Sequence, residues 1–409
     1  MPNYSLFSVL GIEIEYMLVD KKHLNVQPKS AVLLEALAGE LVNQVVLGEG
    51  EIALSNELVL HVVELKNNGP KPPTPLIAQQ FQQSIQLLQP VLNAHQLQLL
   101  PTGAHPWMDP LSETKRWPHG QHAIYNQYNK IFDCQGHGWA NLQCMHVNLP
   151  FANDEEFNQL HNAIRLLLPL LPALAASTPF LGGQRTGLKD SRLDFYGKNQ
   201  KRIPAICGEI IPEFIRSEKE YQETILQPLY QAISPYDPEG ILHHEWLNSR
   251  AAIPKFAYKA IEIRILDSQE CVKADLAIAF ASFAILKHWC EHSSYYLEKP
   301  CETYKLRAIY DLAIKEGFDV TIDDSELSKQ WQLPKRKMTA RGIWSQLIER
   351  VSSELDNETQ LALEFILSQG NLSERLLQSC GNNTSKSTLS RVYRQLGHCL
   401  LNNQLFDPT

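Results

Sequence analysis

The sequence is short of basic residues, and this shortage excludes two classes of partner. Its 409 residues include 37 Lys and Arg against 45 Asp and Glu, which gives a formal net charge of −8 at pH 7. Nucleic acids and anionic membrane surfaces are polyanionic, and a protein that binds them needs a basic face. We therefore expect no nucleic-acid partner and no membrane partner.

Long apolar runs and paired cysteines are also missing. The longest apolar runs, residues 166–176 and 276–286, fall well short of the roughly 20 residues that cross a bilayer, so no membrane helix is predicted. The eight cysteines contain no C-x-x-C pair, and a chain of this size does not need disulfides, so we expect reduced thiols. Residues 1–7 carry neither a basic stretch nor a long apolar stretch, which predicts a cytoplasmic location.

Two nucleotide-binding signatures are absent as well. No G-x-G-x-x-G or Walker A sequence occurs, and strands and helices do not alternate in a βαβ rhythm, so a Rossmann or P-loop enzyme is disfavoured. What is present is an ordinary globular composition, with 44% hydrophobic and 20% charged residues. The length suits two or three domains, or one large enzyme domain with an appendage.

The hydrophobic pattern predicts a mixture of strands and helices. Alternation at period two predicts strands, and apolar residues at period 3.6 predict helices. The predicted strands cover residues 8–20, 57–66, 139–149 and 258–267, and the predicted early helices cover residues 29–44 and 75–96. From about residue 300 the apolar residues recur at helical spacing, so we expect an all-helical C-terminal part.

Glu13 and Glu15 are two residues apart in an otherwise apolar predicted strand, so their side chains point to one side of the sheet. Two carboxylates there repel each other. The pair is tolerated if it faces water, meets basic partners or shares a divalent cation, and carboxylate oxygens suit Mg²⁺ or Mn²⁺.

Glu57 and Glu64 flank the apolar run of residues 58–63, which is too hydrophobic for a solvent loop. Their spacing of seven is odd, so in one regular strand they would face opposite sides. Both reach one site only if the strand contains a bulge or if Glu57 lies on the preceding turn. The spacing leaves these two alternatives open.

Glu262 and Arg264 share one face of a third strand, whose three isoleucines, at positions 261, 263 and 265, cover the other face. Taken alone, this pattern also fits a plain ion pair on a surface strand. Three apolar strands that each present carboxylates are harder to explain, because five acids on one face would repel strongly without cations. We infer a polynuclear metal site.

Further candidate residues lie on a fourth strand and in the following loops. His146 and Asn148 share one strand face, where a histidine is either a ligand or a buried core residue with its hydrogen bonds satisfied. Arginine suits the bidentate binding of carboxylates and phosphates. The basic residues that could meet a phosphate in this part of the chain are Arg185, Arg192, Lys198, Lys201, Arg202 and Arg250.

Six segments of the chain, in register, resemble the type 2 glutamate–cysteine ligases, also called carboxylate–amine ligases, which are related to glutamine synthetase. The resemblance covers about residues 8–290. The segments are Gly11–Asp20, Glu57–Leu65, Thr102–Pro106, Gln143–Leu149, Leu174–Phe180 and Ile261–Asp267.

The resemblance implies a glutamine synthetase-like α+β fold, with a curved, mainly antiparallel sheet that forms the active-site face and helices on the outside. It implies a catalytic domain at residues 1–295 and a helical C-terminal region at residues 296–409 packed on it. ATP would be the co-substrate, amino acids the small-molecule substrates, and a homodimer is expected. Mg²⁺ or Mn²⁺ would be bound by Glu13, Glu15, Glu57, Glu64 and Glu262.

The resemblance also implies roles for individual residues. Arg264, Glu262 and Glu64 would be catalytic, with Arg264 facing the transferred phosphate. ATP or substrate would be bound by His146, Asn148, Arg192, Arg250 and Arg185.

The implied reaction is ATP-dependent amide formation through an acyl phosphate, with glutamate and cysteine as the default substrates. The chain departs from the family at Cys144 and Asn148, where the family often has His and Gly, and at residues 246–250, where it often has an acid and Arg-Pro. The substrates therefore stay open. So do four other functions: a kinase, a protein-directed acyl transferase, a metal-dependent amidohydrolase, and a catalytically silent nucleotide-binding regulatory protein.

Overall fold

The computed structural model describes residues 4–408 of the chain. Residues 1–3 and 409 lie outside the described part. The prediction that residues 1–7 carry no targeting signal therefore falls partly outside it. The strands of the described part are β1 (Gly11–Asp20), β2 (Gln44–Leu47), β3 (Ile52–Asn56), β4 (Val62–Asn67), β5 (Leu97–Leu100), β6 (Cys144–Pro150), β7 (Phe180–Leu181), β8 (Gln184–Arg185), β9 (Ala252–Lys255), β10 (Ala260–Asp267), β11 (Thr321–Ile322) and β12 (Met338–Thr339).

Helices surround these strands and form most of the C-terminal third of the chain. The α-helices are α1 (Ser30–Ala38), α2 (Leu76–Ala94), α3 (Pro110–Glu113), α4 (His122–Phe132), α5 (His137–Ala140), α6 (Asp154–Leu167), α7 (Leu171–Ala175), α8 (Ser191–Tyr196), α9 (Glu218–Tyr221), α10 (Gln227–Ile233), α11 (Val272–His292), α12 (Tyr295–Glu298), α13 (Thr303–Glu316), α14 (Ser325–Gln330), α15 (Ala340–Val351), α16 (Asn357–Gln369), α17 (Leu372–Cys380) and α18 (Lys386–Asn402). No helix within residues 4–408 is both long enough and apolar enough to cross a bilayer.

The main sheet has eight strands among the described residues, in the order β2-β3-β4-β1-β6-β10-β9, and β5 pairs with the C-terminal half of β1. Its neighbouring strands are antiparallel. The predicted α+β class with a mainly antiparallel sheet is therefore confirmed. Strand β1 forms because its side chains alternate, and Ile12, Ile14 and Tyr16 are fully buried.

One continuous hydrophobic core joins the sheet to its helices and reaches into the C-terminal region. It includes Ile12 and Ile263 from the sheet together with Trp331 and Trp344 from the tail. The indoles of Trp331 and Trp344 each donate a 3.0 Å hydrogen bond, to the carbonyl oxygens of Leu166 and Leu170. Such contacts satisfy the polar end of a buried tryptophan. The division of the chain at residue 295 stays a prediction.

Several boundaries differ from the sequence predictions. The helix predicted for residues 29–44 ends at Ala38, because Gly39 adopts a left-handed conformation with φ of 81° and stops it. The chain then forms the β2–β3 hairpin, which was not predicted. The tail is helical, as predicted, apart from the short strands β11 and β12, which pair with each other.

Candidate active site

The strand register brings acidic side chains from neighbouring strands together on one face of the sheet. In β1, Glu13 lies opposite Lys66 of β4 on one side and His146 of β6 on the other. Two residues further along, Glu15 lies opposite Glu64. Because directly opposed side chains are neighbours, this register places two carboxylates side by side.

Glu57 completes a group of three carboxylates with Glu15 and Glu64. It lies on the connection between β3 and β4, so of the two explanations for the odd spacing, the structure has the second. One oxygen of each residue lies within 4.8 Å of the others. We call these three residues the Glu15 group. Hard oxygen donors of this kind suit Mg²⁺ or Mn²⁺.

A second group lies beside the first and consists of Glu13, His146 and Glu262, whose ligand atoms also lie within 4.8 Å of one another. We call it the Glu13 group. His146 Nδ1 lies 3.0 Å from Glu13 Oε2, and Asn148 Nδ2 donates to Glu13 Oε1 at 3.1 Å. The two groups together contain all five glutamates proposed from the sequence.

Basic side chains partly balance this negative charge. Lys66 forms an ion pair of 2.7 Å with Glu64, and Arg264 Nε lies 3.1 Å from Glu262 Oε1. Lys255 of β9 forms a further ion pair with Glu262. Neither lysine was predicted from the sequence. Lys66 could have been identified, because it lies two residues after Glu64 and thus on the same strand face. Lys255 carries no such signal.

The crowding of carboxylates perturbs their protonation. Burial, together with the charges of Glu64 and Glu15, raises the pKa of Glu57 well above its ordinary value. Burial and the charge of Glu13 raise the pKa of Glu64 to about 7. Carboxyl groups whose pKa values are raised by burial among like charges are typical of functional sites.

Glu13, in contrast, keeps its charge. Burial alone would raise its pKa, but the hydrogen bond from His146 and the charges of Lys255 and Lys66 hold the pKa below its ordinary value. Burial likewise disfavours the charged form of His146, but Cys144 and Glu262 raise its pKa well above the usual range. The two residues thus form a charged, hydrogen-bonded pair at the centre of the face.

A cavity of about 370 Å³ opens over the Glu15 group. Arg192 and Arg264 contribute positive charge to its lining, so we call it the arginine cavity. Its walls include the aromatic side chains of Tyr125, Tyr128, Trp139, Tyr196 and Trp246. A cavity with apolar walls and a few convergent charged groups is typical of a small-molecule site.

Arg192 is held at the arginine cavity by Asp267. The two side chains form a buried ion pair, and Asp267 also accepts hydrogen bonds from the Ser177 backbone at 2.8 Å and from Thr178 Oγ1 at 3.1 Å. The Nη2 atom of Arg192 is buried and has no hydrogen-bond partner among the described residues. A buried guanidinium nitrogen without a partner is suited to an anionic ligand.

The structure places the other two arginines outside the lining of the arginine cavity. Arg250 is buried, and its guanidinium binds Glu213 with two hydrogen bonds of 2.6 and 2.7 Å. Arg185 lies exposed on β8 and donates to the carbonyl oxygen of Gly381. A role of either residue in binding ATP or substrate stays a prediction.

A second cavity, of about 420 Å³, lies beside the N-terminal half of β1. Polar side chains of Glu13, Asn148 and Lys255 line one part of it. The rest is mainly apolar, so we call it the apolar cavity; its apolar lining includes Val9, Leu10, Ile12, Pro70, Pro150 and Tyr258. Glu13 belongs to the apolar cavity and Glu15 to the arginine cavity, so the two cavities meet the same strand two residues apart.

Known proteins share both the sequence pattern and the fold. A protein of Archaeoglobus fulgidus described only as "Uncharacterized protein" is 30% identical over 402 residues, which cover 97% of this chain and 100% of the relative. A "Putative glutamate--cysteine ligase 2" of Cronobacter sakazakii is 22% identical over 380 residues, covering 89% of this chain and 94% of the relative.

The crystal structure of a glutamate–cysteine ligase from Francisella tularensis in complex with AMP superposes with a TM-score of 0.65. The superposition covers 100% of this chain and 91% of that protein at 12% identity, so it supports the fold. Residues 9–395 match the profile of glutamate–cysteine ligase family 2, GCS2. The match spans nearly the whole chain and confirms the family resemblance of the sequence: the chain belongs to glutamate–cysteine ligase family 2.

Proposed function

We propose that the protein is an ATP-dependent carboxylate–amine ligase that forms an amide through an acyl phosphate. The observation that carries this proposal is the convergence of five glutamates in two adjacent groups, with Arg264 beside them and Arg192 in the same cavity. Family membership supports the same reaction class. The alternatives are a kinase, a protein-directed acyl transferase and a silent nucleotide-binding protein, and the experiment below separates the proposed ligase from each of them.

Two divalent cations fit the carboxylate groups. The Glu15 group offers three carboxylates, and the Glu13 group offers two carboxylates and an imidazole. The raised pKa values of Glu57 and Glu64 mark a site with more negative charge than its lysines balance. Mg²⁺ or Mn²⁺ bound there would neutralise the charge of ATP phosphates, which is the contribution of metal ions in phosphoryl transfer.

The two cavities suit two kinds of ligand. The apolar cavity, with Lys255 at its polar part, suits a purine ring followed by phosphates. The arginine cavity, with Arg192 and Arg264, suits a substrate carboxylate and the transferred phosphoryl group. Two residues of a strand span about 7 Å, so a triphosphate chain can extend from one cavity to the other past Glu13 and Glu15.

The reaction has two steps in this arrangement. A carboxylate oxygen of the donor acid attacks the γ-phosphorus, the bond from phosphorus to the bridging oxygen breaks, and ADP leaves. Arg264 and Arg192 stabilise the charge on the transferring phosphoryl group and on the acid. The amine nitrogen then attacks the acyl carbon, phosphate leaves with the carbon–oxygen bond electrons, and the nitrogen loses a proton.

The walls of the arginine cavity suit an amino-acid donor. By family, glutamate is the proposed donor acid and cysteine the proposed acceptor amine. Both substrates are small enough for a cavity of about 370 Å³. The identity of the acceptor amine is less well supported by the family pattern than that of the donor acid, because Cys144 and residues 246–250 depart from that pattern.

The experiment is to incubate the purified protein with Mg-ATP and amino acids, singly and in pairs, and to measure ADP and product masses. A product equal to two substrates minus water, formed with one ADP, supports the proposal. ADP without condensation contradicts it in favour of a kinase or a protein acceptor, and nucleotide binding without ADP contradicts it in favour of a regulatory protein. Glu262→Gln is the inactive variant, and Glu239→Gln, at an exposed position, is its matched control.

A further inference from the structure

A third group of potential ligands lies in the arginine cavity and differs chemically from the two carboxylate groups. One atom each of Glu15, Cys144 and His146 lies within 4.8 Å of the others. All three residues are less than 10% exposed, at 6%, 5% and 8%. We call them the Cys144 triad. All three line the arginine cavity, so a fourth ligand can approach from its open space.

Two of the three distances within the Cys144 triad lie slightly below those of a tetrahedral zinc site. Cys144 Sγ lies 3.0 Å from His146 Nε2 and 3.3 Å from Glu15 Oε2. With a zinc–sulfur bond of about 2.3 Å and zinc–nitrogen and zinc–oxygen bonds of about 2.1 Å, tetrahedral ligand atoms lie about 3.4–3.6 Å apart. Shifts of a few tenths of an ångström would therefore convert the contacts into coordination.

Neighbouring residues already orient the histidine for such a role. His146 Nδ1 lies 3.0 Å from Glu13 Oε2, and Asn148 fixes the other oxygen of that carboxylate. When Nδ1 donates its proton in a hydrogen bond to Glu13, the ring turns Nε2 toward Cys144, and Nε2 can offer a lone pair there once its own proton has left. Zinc-binding histidines commonly donate their second nitrogen to a carboxylate in this way.

We propose that the Cys144 triad binds one zinc ion through Glu15 Oε2, Cys144 Sγ and His146 Nε2, with the fourth position open to the cavity. Binding forms three bonds to the metal and releases the thiol proton, and any proton on Nε2, to solvent. A thiolate ligand selects zinc, whereas Mg²⁺ prefers oxygen alone. This inference concerns binding and does not depend on the ligase activity.

The site has a consequence for the neighbouring carboxylates. Glu15 belongs both to the Cys144 triad and to the Glu15 group, and His146 belongs both to the triad and to the Glu13 group. Zinc in the triad therefore competes with Mg²⁺ in either carboxylate group for a shared residue. Zinc binding lowers the apparent affinity of the protein for Mg²⁺ as a result.

The test uses Co²⁺ as a spectroscopic substitute for zinc in the reduced, chelator-treated full chain. We expect a near-ultraviolet absorption from sulfur-to-cobalt charge transfer that saturates at one Co²⁺ per chain and is displaced by Zn²⁺. Cys144→Ser should abolish the band and weaken Zn²⁺ binding at least about tenfold. Cys290→Ser, in α11 and outside the cavity lining, should leave both unchanged.

A band that persists in Cys144→Ser, or a wild-type protein without the band, would overturn the proposal. Because the serine variant could fail to fold, X-ray absorption at the zinc edge of the wild-type protein provides a second test. It should show one sulfur neighbour at about 2.3 Å. A shell of oxygen and nitrogen alone would refute the site independently of any variant.

Discussion

Asp267 holds the guanidinium of Arg192 in an ion pair whose side chains are 0% and 1% exposed. The aspartate is itself fixed by hydrogen bonds from Ser177 and Thr178. One guanidinium nitrogen, Nη2, is left buried without a partner in the described part of the chain, and Arg192 lines the arginine cavity. The fold therefore supplies a rigid, positively charged anchor next to the carboxylate groups.

Replacing this anchor by lysine should weaken substrate binding. Arg192→Lys keeps the charge but loses the planar fork that binds Asp267 and an anion together, so we expect KM to rise about tenfold or more. Steady-state kinetics with the acid substrate varied provides the measurement. Arg185→Lys is the matched control, because Arg185 is exposed and contacts only backbone carbonyl oxygens among the described residues. Equal effects of the two substitutions would contradict the assignment.

The backbone at Gly103 packs so closely against Asp267 that only glycine fits there. A Cβ atom at Gly103 would lie 2.5 Å from Asp267 Cγ, too close for any side chain. We expect Gly103→Ala to lower the free energy of unfolding by about 1–3 kcal/mol. Denaturant titration measures the loss. Gly136→Ala is the control, because nothing lies within 4 Å of its Cβ position and its φ is −84°; a similar loss there would refute the steric explanation.

The substitution Glu57→Gln should raise the stability of the metal-free protein and reduce the stabilisation that Mg²⁺ provides. The Glu57 carboxylate is crowded by Glu15 and Glu64, so Glu57→Gln should stabilise the chelator-treated protein by about 1 kcal/mol. At a Mg²⁺ concentration of about 100 times its Kd, the wild type should gain about 2.7 kcal/mol, and the variant should gain less. Thermal unfolding in EDTA and in MgCl₂ measures both effects. An unchanged Mg²⁺ gain in the variant would remove Glu57 from the metal site.

Acid should destabilise the fold through a buried histidine that belongs to neither of the two carboxylate groups. His161 is buried, its Nε2 lies 3.0 Å from the carbonyl oxygen of Glu213, and burial lowers its pKa to about 4. The unfolded chain, with an ordinary pKa of about 6.5, binds more protons between these values, so stability falls as pH falls from about 6.5 to 4.

The variant His161→Gln isolates this contribution. From about pH 7.5 to about pH 5 the wild type should lose about 2 kcal/mol of unfolding free energy that the variant does not lose. The difference in unfolding free energy between the two proteins should change by that amount. Urea titrations at both pH values measure it. His23→Gln, at an exposed position, should show no such change, and a pH-independent difference for His161→Gln would contradict the pKa argument.

The strands that carry the site could be predicted because their signal is local. Alternating side chains identify the faces of β1 and β10, including Glu13, Glu15, Glu262 and Arg264. The repulsion expected between carboxylates on such faces then indicates cations. These inferences need only period two and electrostatics, and both are visible within ten residues of sequence.

Long-range pairing could not be predicted in the same way. Arg250 is neutralised by Glu213, which is 37 residues away, and nothing in either local sequence identifies the pair. Lys255 meets Glu262 because β9 and β10 are neighbours, and that neighbourhood follows from the sheet order. For Glu57 the sequence left two alternatives, a bulge or a position on the preceding turn, and only the β3–β4 connection in the structure decides between them.

The most direct test of the proposed function follows one oxygen atom. The donor acid is supplied with ¹⁸O in its carboxylate, and the phosphate released during amide formation with Mg-ATP is measured by mass spectrometry. An acyl phosphate requires one ¹⁸O atom to appear in phosphate for each amide and each ADP formed. Amide formed with unlabelled phosphate, or ADP formed without amide, would contradict the account.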